Sequence, residues 1–141
     1  ETLNTQSIEH SPKKAFETNL ELRLAVLAYY DQGRGTYIDG KAVPPTTRFQ
    51  REMVSHVYGS VINDWKVSNI VNFNYLFSGY RDFNEQISSW NTSNAKRMRE
   101  MFFRASSFNQ PLNGWNTSKV KDMLEMFRGA SSFNQPLNGW N

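Results

Sequence analysis

Residues 106–116 read Ser-Ser-Phe-Asn-Gln-Pro-Leu-Asn-Gly-Trp-Asn, and residues 131–141 read the same again. The offset is 25 residues, and the tryptophans keep it throughout: Trp65, Trp90, Trp115 and Trp140. Other positions hold step. Phe77, Phe102 and Phe127 recur, as do Phe83, Phe108 and Phe133, each of the latter followed by Asn84, Asn109 or Asn134. Ile62, Ile87, Leu112 and Leu137 stand three residues before each Trp. A fixed period in this range marks a repeat architecture, in which one unit cannot bury its own apolar face and must stack on a neighbour.

Each unit divides in two. After Trp comes Asn-Thr-Ser, then apolar residues spaced by three and four: Ala95, Met98, Met101, Phe102 and Ala105 in one unit, Val120, Met123, Met126 and Phe127 in the next. That spacing predicts one face of a short helix, with Ser93 and Ser118 as N-caps and Gly129 as a C-terminal stop. The other half, Phe-Asn-Gln-Pro-Leu-Asn-Gly-Trp, reads as a turn and a short strand. Pro111 and Pro136 lack an N–H, so the predicted inter-unit strand pairing is confined to Leu112–Trp115 and its equivalents. The Asn84, Asn109 and Asn134 column is either a ladder of side-chain amides or a set of local turns that tolerate Asn. The expected fold class is therefore an α/β repeat solenoid, with one short strand and one short helix per unit.

Upstream, residues 1–16 are polar and predict a flexible or draping arm. Residues 17–58 predict a helical N-terminal cap. Its first helix spans 18–31, with Thr18 and Glu21 in a capping-box pattern and Leu20, Leu24, Leu27 and Ala28 as its buried stripe. Leu22, Val26 and Tyr29 add apolar surface on its other side, and Gly33 is its stop. A loop runs from Gly33 to Pro45, and a second helix spans Thr47–Tyr58 with Phe49, Met53 and Val57 inward and Gly59 as stop. Residues 59–141 are the array, three units and part of a fourth. Beyond Trp140 only one residue remains, so Phe133, Leu137 and Trp140 are expected to face a further unit or a partner.

The chain has 141 residues and no cysteine, which excludes a disulfide scaffold, a Cys-ligated zinc and a thiol nucleophile. Residues 1–58 carry seven basic and seven acidic side chains, and residues 59–141 nine and six. The net charge of +3 thus resides on the repeats and is too small to imply nucleic acid. No run approaches the roughly 18 apolar residues of a membrane span.

The run Trp-Asn-Thr-Ser-x-Val-x-x-Met-x-x-Met-Phe-x-x-Ala-Ser-Ser-Phe-Asn-Gln-Pro-Leu resembles the 25–26-residue repeat of bacterial surface lipoproteins, grouped with the BspA-like leucine-rich repeats and found also in algal and protist proteins. The likeness covers residues 58–141. It is closest over 88–141 and weaker in the first unit, where Asn72 and Asn74 interrupt the pattern. The helix Leu22–Tyr30 followed by Tyr58-Gly59…Ile62-x-x-Trp65-x-Val67-Ser68 is similar to the lead-in of algal members. The resemblance implies a right-handed, leucine-rich-repeat-like solenoid, surface or binding roles, and no catalytic residues.

No residue pattern argues for an enzyme. His10 and His56 stand without a nucleophile or paired carboxylate, and no phosphate loop, metal helix or cofactor motif is present. Lys96, Arg97, Arg99, Arg104, Lys119, Lys121 and Arg128 could form a basic stripe for nucleic acid. Interleaved Glu100, Asp122 and Glu125 make a solvated face the better reading. Asn91-Thr92-Ser93 and Asn116-Thr117-Ser118 match glycosylation sequons, and the repeat explains them structurally. The leading expectation is a non-catalytic scaffold, an accessory or linker subunit of a larger assembly such as a photosynthetic or other organellar membrane complex. Its partners would be protein subunits meeting the C-terminal repeat face and the N-terminal arm, with no cofactor and no metal. The alternative is a cell-surface recognition module. Either points to an extracellular or organellar setting rather than the cytosol.

Trp115→Ala should cost about 3–5 kcal/mol, as large core truncations do. Limited proteolysis should then cut the C-terminal units first; unchanged protease resistance there would refute stacked aromatic columns.

Overall fold

A computed structural model describes residues 12–30, 36–38, 41–43 and 47–141. The elements in chain order are α1 (Asn19–Tyr30), β1 (Thr36–Ile38), β2 (Lys41–Val43), α2 (Arg48–Tyr58) and a 3-10 turn over Ile62–Asp64. β1 and β2 pair antiparallel, Thr36 opposite Val43, within the stretch predicted as a loop. Residues 1–11 of the predicted arm, and Gly33, lie outside the described residues.

The predicted helix in each repeat is not formed. Residues 71–79, 96–104 and 121–128 instead run parallel to one another, one per coil. Every second amide in a coil reaches the next. Phe73, Tyr75, Phe77 and Gly79 donate to the carbonyls of Arg97, Arg99, Met101 and Phe103, at 2.7–2.9 Å. Met98, Glu100, Phe102 and Arg104 donate to Asp122, Leu124, Met126 and Arg128 over the same range. Of the intervening amides, Arg99 donates back to Asn74 Oδ1, and the later ones close tight turns within their own coil: Met101 to Met98, Phe103 to Glu100, Ala105 to Phe102. Parallel bridges Asn72↔Arg97↔Asp122 fix the alignment.

Ring spacing explains why no helix forms. Phe77, Phe102 and Phe127 stack at 5.6 and 5.5 Å, and Phe83, Phe108 and Phe133 at 5.4 and 5.9 Å, with planes within 13° of parallel. A helix with its side chains is about 10–12 Å across. Coils held this close have no room for one. The three-and-four spacing is still satisfied, because turns closing every second residue keep Ala95, Met98, Met101, Phe102 and Ala105 inward and fully buried.

Two of the turns in each coil carry positive φ at their third residue, as type II turns do. Tyr75, Glu100 and Glu125 occupy one such column, at φ 48–63°, and Gly79, Arg104 and Gly129 another. Gly129 is therefore a turn residue rather than a helix stop. Its glycine also avoids contact: a Cβ there would stand 3.0 Å from Arg104 Cγ.

The predicted strand at Leu112–Trp115 is also absent, and side chains join the coils in that half. Asn84 Oδ1 accepts the Asn109 amide and Asn109 Oδ1 accepts the Asn134 amide, both at 2.8 Å. Gln110 and Gln135 donate their side-chain amides to the same oxygens, so the Asn column is a ladder. Each indole N–H reaches back a coil: Trp90 to the Ile62 carbonyl, Trp115 to Ile87 and Trp140 to Leu112, at 2.7–3.1 Å. Trp65, in the first coil, donates to Gly59. Pro111 and Pro136 cost this half nothing, because its coils are not joined by a backbone-to-backbone ladder.

Ser93 and Ser118 are not N-caps. Each donates both its amide and its hydroxyl to the Asn two residues before it, Asn91 or Asn116, closing a side-chain turn.

The N-terminal cap differs from expectation in three ways. Residues 12–16 do not drape freely: Lys14 N–H donates to Val57 O, Phe16 N–H to Lys66 O, and Ala15 bridges Lys66 in parallel. Phe16 is fully buried, its ring 3.9 Å from Tyr58. With that coil in place, α1 buries Leu22, Ala25, Val26, Leu27 and Ala28, leaving Leu20 and Leu24 at 50% and 42% exposure. On α2, Val54 and Tyr58 pack on the core instead, while Phe49 and Met53 are 69% and 44% exposed. Thr47 and Gln50 cap α2 reciprocally, and Gly59 ends it at φ 114°.

A second side-chain ladder is interrupted. Asn63 Oδ1 accepts the Ser89 amide and Asn113 Oδ1 that of Gly139. The intermediate position is Ser88, too short to reach Gly114. Ser88→Asn should complete the rung and stabilise the fold by about 0.5–1.5 kcal/mol, a typical net hydrogen bond. Chemical denaturation would measure it, and no gain would show that the ladder contributes nothing.

Candidate interaction surface

The basic residues singled out from sequence project from two adjacent coils. Lys121 N–H donates to Lys96 O at 2.9 Å, which sets the two lysines in one column. Arg97 and Lys119 flank that column, and all four side chains are exposed. Lys119 Nζ contacts Asn94 Oδ1 at 3.3 Å.

The remaining three cations are tied to local partners. Arg99 Nε bonds Asp122 Oδ2 at 2.9 Å across the coils. The Leu124 N–H, then Arg99, hold the Asp122 carboxyl below its usual range, and Asp122 in turn raises Arg99. Arg128 pairs with Glu125 at 2.7 Å. Arg104 lies 5.1 Å over its neighbour Phe103. The seven cations are thus not one stripe. Lys96, Arg97, Lys119 and Lys121 form a basic edge, and Arg99, Arg104 and Arg128 sit among carboxylates and a ring.

Phe133, Leu137 and Trp140 are half-buried, whereas Phe108, Leu112 and Trp115 one coil earlier are closed. His56 is exposed on α2, and its carbonyl accepts Lys13 Nζ. Arg48, Arg51, Glu52, Ser55 and His56 line an open groove there, in which Arg48 and Glu52 pair at 2.9 Å. His10 lies outside the described residues. Asn91 and Asn116 are exposed, but each Oδ1 is occupied by its serine. Among the described residues, no three His, Asp or Glu side chains are grouped to hold a metal, and no helix is long and apolar enough to cross a membrane.

Sequence reasoning missed one polar cluster. Glu21 Oε1 accepts the Tyr58 hydroxyl at 2.7 Å and pairs with Lys14 Nζ at 3.2 Å, while Oε2 accepts the Glu17 amide at 3.2 Å. Thr18 Oγ1 accepts the Glu21 amide, so only half of the predicted capping box forms. The carboxylate is diverted to join the N-terminal coil, α1 and α2. A Glu three residues after a Thr signals a cap, and nothing local to that pattern reveals the distant Tyr58.

Burial would raise the Glu21 pKa, but the Tyr58 hydroxyl, Lys14 and the Glu17 N–H outweigh it, leaving the group below 4.5. Tyr58 is raised in turn, by burial first and then by Glu21.

A family model described as a Mycoplasma protein of unknown function, DUF285, matches residues 47–141, which take in α2 and every repeat. No curated protein and no solved structure matches the chain.

The depressed Glu21 pKa makes the cluster's contribution present at neutral pH and lost as pH falls through the folded value, below 4.5. Hydrogen-exchange protection of the Phe16 amide should therefore drop in acid. Glu21→Gln should lower it at neutral pH and remove that acid dependence. An equally steep acid loss in the variant would exclude Glu21 as its origin.

Proposed function

The chain belongs to this family, DUF285, and on that premise we propose that it is a non-catalytic scaffold, an accessory or linker subunit of a larger protein assembly. The stacked coils are read here as a repeat solenoid, a reading supported by the resemblance of the repeat to BspA-like units. Solenoids work through extended, rigid surfaces.

One observation carries the proposal. The polar side chains with most chemical capacity are engaged in joining coil to coil: the Asn ladders, the indole N–H groups and the Arg99–Asp122 pair. Among the groups left outward are the Lys96, Arg97, Lys119 and Lys121 edge and the exposed Phe49 and Met53 of α2. A surface of this kind selects partners by position and charge. A cell-surface recognition role is the second reading, favoured by the likeness of the repeat to bacterial surface lipoproteins.

Native electrophoresis of an extract from the source cells should show the protein in a species larger than a monomer. Cross-linking should link Lys96, Lys119 or Lys121 to the partner. Lys96→Glu with Lys121→Glu should slow assembly, with a weaker salt dependence. A chain that stays monomeric in the extract would overturn the proposal, as would a turnover lost on replacing His56.

A further inference from the structure

Two Asn-Gly pairs, Asn113-Gly114 and Asn138-Gly139, recur one repeat apart. Asn-Gly is chemically labile, because a residue without Cβ lets its amide nitrogen approach the preceding side-chain carbonyl carbon. Here one hydrogen bond touches both pairs: the Gly139 N–H donates to Asn113 Oδ1 at 2.7 Å. It holds the electrophilic carboxamide of the first pair and the nucleophilic nitrogen of the second. The packing is close as well, since a Cβ on Gly139 would stand 2.8 Å from Asn113 O. Gly114 is different. Nothing lies within 4 Å of the Cβ position there, and Ser88 does not reach its amide.

We propose that the two Asn-Gly pairs form a coupled deamidation site, kept silent by the hydrogen bond between them and released when the two coils part. In the reaction, the glycine nitrogen gives its proton to solvent base and attacks Cγ of the preceding asparagine. A C–N bond forms, the side-chain nitrogen takes a proton back from solvent and leaves as ammonia, and a five-membered succinimide results. Water then opens the ring to an aspartyl or isoaspartyl residue. No oxidant or metal is required, and water is the only co-reactant. Once Asn113 is released, the unpartnered Gly114 amide is already available to it.

The isoaspartyl product is the structurally important one. It adds a methylene to the main chain within a coil whose contacts depend on a strict 25-residue offset. A coil that opened and reacted could not return to its former alignment, so the site would record the opening irreversibly.

The test compares the folded chain with the same chain unfolded in guanidinium, at mildly alkaline pH, by peptide mass spectrometry. Deamidation of both asparagines should be at least about ten-fold slower in the folded chain, as expected of groups that react only through local opening. Asn113→Ala should raise the rate at Asn138 towards that of the unfolded chain. Asn109→Ala, which removes the corresponding bond to Asn134 in the other ladder, should leave Asn138 unchanged. Equal rates in folded and unfolded chains would overturn the proposal. So would an unaltered rate in Asn113→Ala, or an equal acceleration in Asn109→Ala, which would mark general loosening rather than this bond.

Discussion

The separation between coils constrains everything else in this structure. Stacked phenyl rings stand 5.4–5.9 Å apart, and backbone bonds of 2.7–2.9 Å join the same coils along a different side. Neighbouring strands in a sheet are about 4.7–4.9 Å apart. The coils thus sit near strand separation although they are built of turns. A full α-helix along the Phe102 face is excluded at that pitch. Positive-φ turn residues, Asn rungs and indoles that reach back one coil are the ways in which 25 residues are wound into so thin a layer.

The cap meets the same constraint with different residues. No Trp-bearing coil precedes Trp65, and Phe16 fills the corresponding space from residues 12–16. Its amide and that of Lys14 satisfy carbonyls at Lys66 and Val57. Glu21 then ties the short coil to both helices. This segment is joined to the array through backbone bonds as well as apolar packing.

The inward residues were legible from spacing alone. Ala95, Met98, Met101 and Phe102 face the core, and the aromatic columns fall where a 25-residue offset places them. The element that carries them was not legible, because spacings of three and four suit a helix and a run of tight turns equally. The distinguishing quantity is the distance to the next coil, which no single unit encodes. A weak signal was present: Gly79 and Gly129 occupy the same position in their coils, so glycine recurs where the backbone requires positive φ. The misplaced stripes have a simpler cause. Leu20, Leu24, Phe49 and Met53 were assigned from periodicity, but Phe16 and Tyr58 decide which side of each helix is covered, and their pairing spans 42 residues. The Arg99–Asp122 pair fits the mixed, solvated face that the interleaved carboxylates indicate, although the pairing itself forms only on folding.

The alternation of amide bonds also bears on how such a chain can change length. Along 73–79 and 100–104, one amide serves its own turn and the next serves the neighbouring coil. One inserted residue would exchange these two roles for every amide that follows in the coil. It would also turn the buried Phe column towards solvent. In the Asn-Gln-Pro half, where side chains make the connections, an extra residue need only loop outward. The gain or loss of a whole 25-residue unit restores both patterns at once. Length variation in this architecture is therefore quantised: small changes are confined to one side of the array, and larger ones come in complete coils.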